Sequence, residues 1–103
     1  MARIVVTSLA DADTAEILYH LGREAGAPVA DRYEADFEAL YKLLANFPNS
    51  GAPRPILGKD MRIGVVFPYL VLYEFAEIDD VVTIMRVVHG RRKITRRLLR
   101  STP

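Results

Sequence analysis

The sequence predicts an α+β domain with the order β-α-α-β-β-β, in which a helical hairpin packs on one face of a small, mainly antiparallel sheet. Three observations carry this. Two apolar stripes at helical spacing are separated only by Gly26-Ala27-Pro28. Residues 46–55, NFPNSGAPRP, are dense in chain breakers. Three β-prone runs follow, divided by Pro68 and by the turn-like EIDD at residues 77–80.

Residues 3–7, RIVVT, form the first β-prone run. Thr7 or Ser8 then offers a helix cap, and Asp11, Asp13 and Glu16 lie where acids favour a helix N-terminus. Thr14, Ile17, Leu18, Leu21 and Ala25 recur at spacings of three and four, and Gly26 and Pro28 end the helix. A second helix is expected to start near Val29. Tyr33, Phe37, Leu40, Tyr41, Leu44 and Phe47 make its apolar stripe, with Asp31, Glu34, Glu38 and Lys42 opposite. Aromatics at that spacing read as core packing. The short joint makes the two helices antiparallel.

The strands are expected over residues 61–67, 69–75 and 81–88. Pro68 forbids a continuous strand across it. Links this short allow only an antiparallel meander. In the last run, Val82, Ile84 and Val87 do not share a face under strict alternation. Both faces therefore read as apolar, as in a strand with neighbours on each side. Arg86 alternates with Ile84 and Val88 and is expected on their face. An arginine there reads as a structural ion pair, or as part of the basic surface that begins just beyond it.

The chain has 103 residues, half of them hydrophobic. A single domain over residues 1–103 is expected, with a basic tail from about residue 90. A domain of this size buries roughly 60–65% of the surface its unfolded chain exposes. There is no cysteine, which excludes disulfides and thiolate metal sites and suits a cytoplasmic location. No run reaches the length of a membrane span. The apolar stretch in MARIVVTSLADAD meets acids at once, unlike a signal peptide. His20 and His89 have no co-ligand spacing, and no glycine-rich phosphate loop is present. Neither metal nor cofactor is expected.

Charge is sharply divided. Residues 1–85 carry 7 Lys/Arg and 13 Asp/Glu, net −6, whereas residues 86–103 carry 7 Lys/Arg and no acid, net +7. A near-neutral chain with one basic end points to a local contact with phosphates or with an acidic partner. Arg91, Arg92, Lys93, Arg96, Arg97 and Arg100 form the basic arm, expected to be mobile. Ile94, Leu98 and Leu99 give it an apolar side that suits packing on the core or on a partner.

Three segments resemble the RelE/ParE superfamily of toxins from bacterial toxin–antitoxin pairs, and its ParE branch in particular. They are the ending Ile84-Met85-Arg86-Val87-Val88-His89-Gly90-Arg91-Arg92, the joint FPNSGAPRP at residues 47–55, and the strand Tyr69-Leu70-Val71-Leu72-Tyr73-Glu74. The first helix departs from the family pattern, with Thr14 after Asp13 where an apolar residue is usual.

The resemblance implies two activities within one fold. ParE-like members inhibit DNA gyrase by holding its cleavage complex on DNA. RelE-like members cut messenger RNA on the ribosome. Phosphoryl transfer from RNA needs a base, an acid and cations for the transition state. The candidates for that alternative are Lys59, Arg62, Arg86 and His89, the last because imidazole ordinarily exchanges protons near neutrality. The other reading of His89 is a strand-end histidine bonded to backbone. No tyrosine follows Tyr73 to stack on a base.

Gyrase inhibition requires no chemistry of the toxin's own, only preference for one state of its target. The expected target-binding residues are Arg86, His89, Arg91, Arg92, Lys93, Arg96 and Arg97. Truncation after Gly90 is expected to abolish toxicity and leave the fold intact. The resemblance also implies a ParD-like antitoxin. Tyr19, Leu21, Tyr33 and Tyr41 are candidates to line its groove between hairpin and sheet, with core packing the other reading for Leu21 and Tyr41. Acids on the second helix, among them Asp31, Glu34, Asp36 and Glu38, would suit a basic partner segment. A non-toxic, antitoxin-binding module is the alternative from a different class.

Overall fold

The computed structural model describes residues 1–100. The last three residues of the expected tail, 101–103, lie outside the described residues. The elements run β1 (Arg3–Val6), α1 (Ser8–Ala25), α2 (Ala27–Asn46), β2 (Ala52–Pro53), β3 (Met61–Val66), β4 (Tyr69–Ala76) and β5 (Val81–His89). Short 3-10 turns occur at Pro55–Leu57 and Arg96–Leu99. One sheet has the order β1-β5-β4-β3-β2. β1 is parallel to β5 and every other pairing is antiparallel. The hairpin on a mainly antiparallel sheet is as the sequence predicts. The two-residue β2, inside the breaker-rich loop, is an addition.

Local chemistry sets the helix ends. The Thr7 hydroxyl accepts from Ala10 N at 3.1 Å, capping α1, and donates to Met85 O at 3.0 Å. One side chain thus starts the helix and ties it to β5. α1 stops at Gly26, whose φ of 95° suits a residue without a β-carbon. α2 begins at once, at Ala27 rather than Val29, because Pro28 fits a first turn, whose amides lack intrahelical partners. Phe47 is a correction to the predicted stripe. The helix ends at Asn46, and the ring is 63% exposed.

Two apolar clusters lie on opposite faces of the sheet. The larger joins Ala10, Phe37 and Leu44 of the helices to Val71, Tyr73, Val82, Ile84 and Val87. The smaller contains Leu57, Met61, Ile63, Leu72, Val88 and Leu98, with Met85, Ile94 and Leu99 packed against it. The chain beyond β5 is therefore a covering layer on the second face.

The strand β5 carries a bulge. Leu72 pairs with Arg86 and Tyr73 pairs with Ile84, so Met85 is left without a partner in the register. One extra residue resets the alternation. That is why Val82, Ile84 and Val87 all join the helix-side cluster. It also corrects the expected placement of Arg86: Ile84 faces the helices and Val88 the other side, so no common face exists for Arg86 to share.

The loop before β3 is anchored by Tyr73. Its hydroxyl donates to Pro48 O at 2.8 Å and accepts from Gly51 N at 2.9 Å. A β-carbon at Gly51 would lie 2.6 Å from that hydroxyl, so the approach requires glycine. Arg62 adds bonds to Asn49 O at 2.9 Å and Gly51 O at 2.8 Å.

Tyr73→Phe should cost about 1–3 kcal/mol in urea unfolding, because it leaves a carbonyl and an amide without their partner. Burial pushes the Tyr73 and Tyr41 phenols up from their ordinary value of 10.0. Their neutral forms are thus favoured by folding. Stability should be undiminished below pH about 10 and fall as pH rises through the raised folded values. Unfolding midpoints measured across alkaline pH check this, and Tyr73→Phe should shrink the fall.

Candidate functional site

The residue at the centre of the basic end is not at the surface. Arg86 is 0% exposed and Asp13, from the second turn of α1, is 6% exposed. The guanidinium Nε donates to Asp13 Oδ2 at 2.7 Å and Nη2 to Oδ1 at 2.8 Å, a two-pronged pair. Oδ2 also accepts from Val87 N at 3.0 Å. On the far side, Nη1 donates to Leu98 O at 2.6 Å. One arginine therefore joins α1, β5 and the 3-10 turn of the tail. The hydrogen bond donated to Asp13 raises the Arg86 pKa against desolvation, and the charge persists in the core.

This corrects two expectations. Arg86 cannot meet a target, because its guanidinium is enclosed and bonded within the fold. The described part of the tail is not a loose arm: Leu98 is 4% exposed, and its layer closes the second cluster. The cations outside that layer, Arg91, Arg92, Lys93, Arg96, Arg97 and Arg100, are all exposed. The backbone that carries them is fixed by Arg92 N to His89 O at 2.9 Å, Leu98 N to Thr95 O at 3.1 Å and Arg100 N to Arg97 O at 3.1 Å.

The nuclease candidates do not come together. Lys59 and Arg62 flank a small polar hollow near Asp60 and Glu77. His89 lies at the other end of the meander, beside Tyr69, with ring centroids 5.7 Å apart. The register places it four positions along and two strands across from Arg62. That is about 13 Å by about 10 Å at ordinary strand spacings. His89 Nδ1 accepts from Arg91 N at 3.0 Å, so the imidazole is engaged with backbone at the strand end.

The four residues expected at an antitoxin groove also separate. Leu21 lines a groove of ≈ 320 Å³ between α1 and the end of β5, with Glu16, His20, Glu24, His89 and Arg92. Tyr19 is 60% exposed and is contacted by Arg23, whose Nη1 donates to its hydroxyl at 3.1 Å. Tyr33 stands edge-on to Tyr69 at 5.7 Å. Tyr41 packs against the helix-side core, and its hydroxyl is buried without a hydrogen-bond partner among the described residues. The residue that sequence reasoning missed is Asp13. Its signal was Arg86 itself, since a charge within an apolar strand requires an acid. Among the described residues no cluster of side chains could hold a metal ion, and no helix is long and apolar enough to cross a membrane.

Asp13→Ala should destabilise the chain by about 3–5 kcal/mol, because it strands a buried guanidinium. The double variant Asp13→Leu/Arg86→Met should recover much of that loss, which denaturant unfolding of both will show. Truncation after Gly90, expected from the sequence to leave the fold intact, should instead lower the unfolding midpoint. It removes Leu98 from its cluster and the Leu98 carbonyl from Arg86. Leu98→Ala alone should cost about 2–4 kcal/mol.

A family model described as ParE toxin of type II toxin-antitoxin system, parDE, matches residues 4–94. Among solved structures, the chain is similar to one from the chromosomal ParDE toxin–antitoxin system of P. aeruginosa. The TM-score is 0.70 and the identity 23%, over 86% of this chain and 96% of that one. It is also similar to a chain of the toxin–antitoxin complex RelBE2 from Mycobacterium tuberculosis, with TM-score 0.65 and 21% identity, over 85% of this chain and 96% of the other. At these identities the likeness is one of fold. The comparison with curated protein sequences gives no match. With the family model spanning β1 to the start of the tail, the chain belongs to the ParE toxins of type II toxin–antitoxin systems.

Proposed function

We propose that this toxin inhibits DNA gyrase by stabilising its cleavage complex, acts by binding rather than by chemistry of its own, and is silenced by a ParD-like antitoxin. The observation that carries the reading is a basic surface fixed to the sheet without a catalytic set beside it. Lys59 and Arg62 are remote from His89, and Arg86 is enclosed. A nuclease needs its acid, base and cations around one phosphate. A poison needs a rigid surface that fits one state of its target better than the others.

On this reading the target meets Arg91, Arg92, Lys93, Arg96, Arg97 and Arg100, and His89 borders that surface. Arg86 acts from inside by holding the tail in place. The antitoxin uses the helix side of the molecule. Leu21 and Tyr19 on α1 and Tyr33 on α2 offer it apolar contacts, and the exposed acids Asp31, Glu34, Asp36 and Glu38 suit basic residues on it. The similar chains come from toxin–antitoxin systems, one of them from a toxin–antitoxin complex, which supports this partner.

The test is to add the purified chain, free of antitoxin, to gyrase and plasmid DNA. Supercoiling should be lost and linearised plasmid should accumulate after denaturation of the enzyme. Co-expression with the antitoxin should relieve growth arrest. An untouched gyrase together with cleavage of ribosome-bound messenger RNA would replace this reading with the RelE-like one. No arrest at all from folded protein would leave a non-toxic binding module.

A further inference from the structure

We propose that the cationic face of residues 91–100 binds double-stranded DNA directly, through its phosphates and without sequence preference. This rests on the gyrase reading and deepens it: the cations meet duplex DNA rather than acidic enzyme surface.

Charge is unevenly distributed over the molecule. The helix layer exposes Asp11, Glu16 and Glu24 on α1 and further acids along α2. No acid occurs after Asp80. The opposite layer, closed by Leu98, exposes arginines on a fixed backbone. A molecule with one acidic and one basic side turns in the field of a polyanion until the basic side leads.

The kind of cation points the same way. Five of the six exposed cations over residues 91–100 are arginine and one is lysine. The guanidinium fork matches two phosphate oxygens, and it is the side chain suited to repeated phosphate contacts. So does order. Ile94, Leu98 and Leu99 pack beneath the sheet, so the chain that carries the cations is already placed and loses little freedom on binding.

The composition of the segment favours duplex over single strand. No Phe, Tyr or Trp follows Phe75 in the sequence. Surfaces for single-stranded nucleic acid combine cations with aromatic rings on which bases stack. Residues 91–100 carry cations and no ring, and the rings that border them, Tyr69 beside His89 and Phe67 at the turn bonded to Gly90, lie at one end only, which suits a helix whose bases are already stacked. Arg92 is the cation nearest the acids, because it lines the groove with Glu16 and Glu24. Arg91, Lys93, Arg96 and Arg100 are therefore the residues to change.

The experiment measures anisotropy of a labelled mixed-sequence duplex with the purified, antitoxin-free chain and no gyrase. Binding should be indifferent to sequence. With about four phosphates contacted, it should weaken about 10²-fold between about 50 and 200 mM salt. The variant Arg91→Gln/Lys93→Gln/Arg96→Gln/Arg100→Gln keeps Ile94, Leu98, Leu99 and Arg86. It should unfold at the wild-type midpoint and bind at least about tenfold more weakly. Neutralising Glu34 and Glu38 on α2 should not weaken binding. Folded chain that ignores duplex at low salt, a fourfold variant that binds as well as wild type, or tighter binding to single-stranded DNA or RNA would each overturn the proposal. Gyrase inhibition without duplex binding would discard it, keep the gyrase reading and assign the face to acidic protein. Duplex binding without any effect on gyrase would do the reverse.

Discussion

Almost everything distinctive about this chain converges on the pair between Asp13 and Arg86. A guanidinium at 0% exposure is tolerable only if its donors are met, and here they are met from two sides. Asp13 takes two of them, and the Leu98 carbonyl takes a third. The acid in turn accepts the Val87 amide, which β5 would otherwise offer beside its bulge. Helix, strand and tail are fixed relative to one another by groups that have no alternative partner in water. Such a pair adds little net stability over a well-packed apolar replacement, but it penalises any arrangement that separates its members. Its contribution is to specify one position for the tail.

That position converts a run of positive charge into a surface. Without an apolar side, residues 91–100 would be a solvated chain, and their charges would average over many orientations. Leu98 in its cluster and the carbonyl beside it on Arg86 hold the backbone. The cations then stand on a placed layer beyond β5, with Arg92 at its border, lining the groove with Glu16 and Glu24 of α1. The basic end of the sequence becomes a placed basic surface. The same layer covers Met61, Ile63, Leu72 and Val88, which would otherwise be an open apolar face.

The helices and the meander were legible because their signals are local. Stripes at helical spacing, Gly26 with Pro28, and Pro68 each act through a few neighbouring residues. The parts that escaped depend on pairing between distant residues. The bulge at Met85 was visible only as a failed alternation among Val82, Ile84 and Val87. Two apolar faces explain that failure as well as an extra residue does. β1 against β5 follows from the bond of Thr7 N to Ile84 O and the capping hydroxyl on Met85 O, neither of which spacing reveals. β2 is too short, and too broken by proline, to register as a strand. Asp13 read as one of several acids near a helix start, and its partner lies 73 positions away. The family ending was recognisable as a string, yet its arginine serves the interior while its neighbours serve the surface.

Amide hydrogen exchange by NMR on the unmodified chain tests the central claim most directly. The Val87 amide is bonded to Asp13, and the Leu98 amide to Thr95 O within the docked turn. If the buried arginine holds the tail as a layer of the fold, both amides will be protected, and Leu98 will exchange far more slowly than in an unfolded peptide. Exchange of Leu98 and Arg100 at the unfolded rate, with Val87 still protected, would mean that the tail is loose and that Arg86 does not order it.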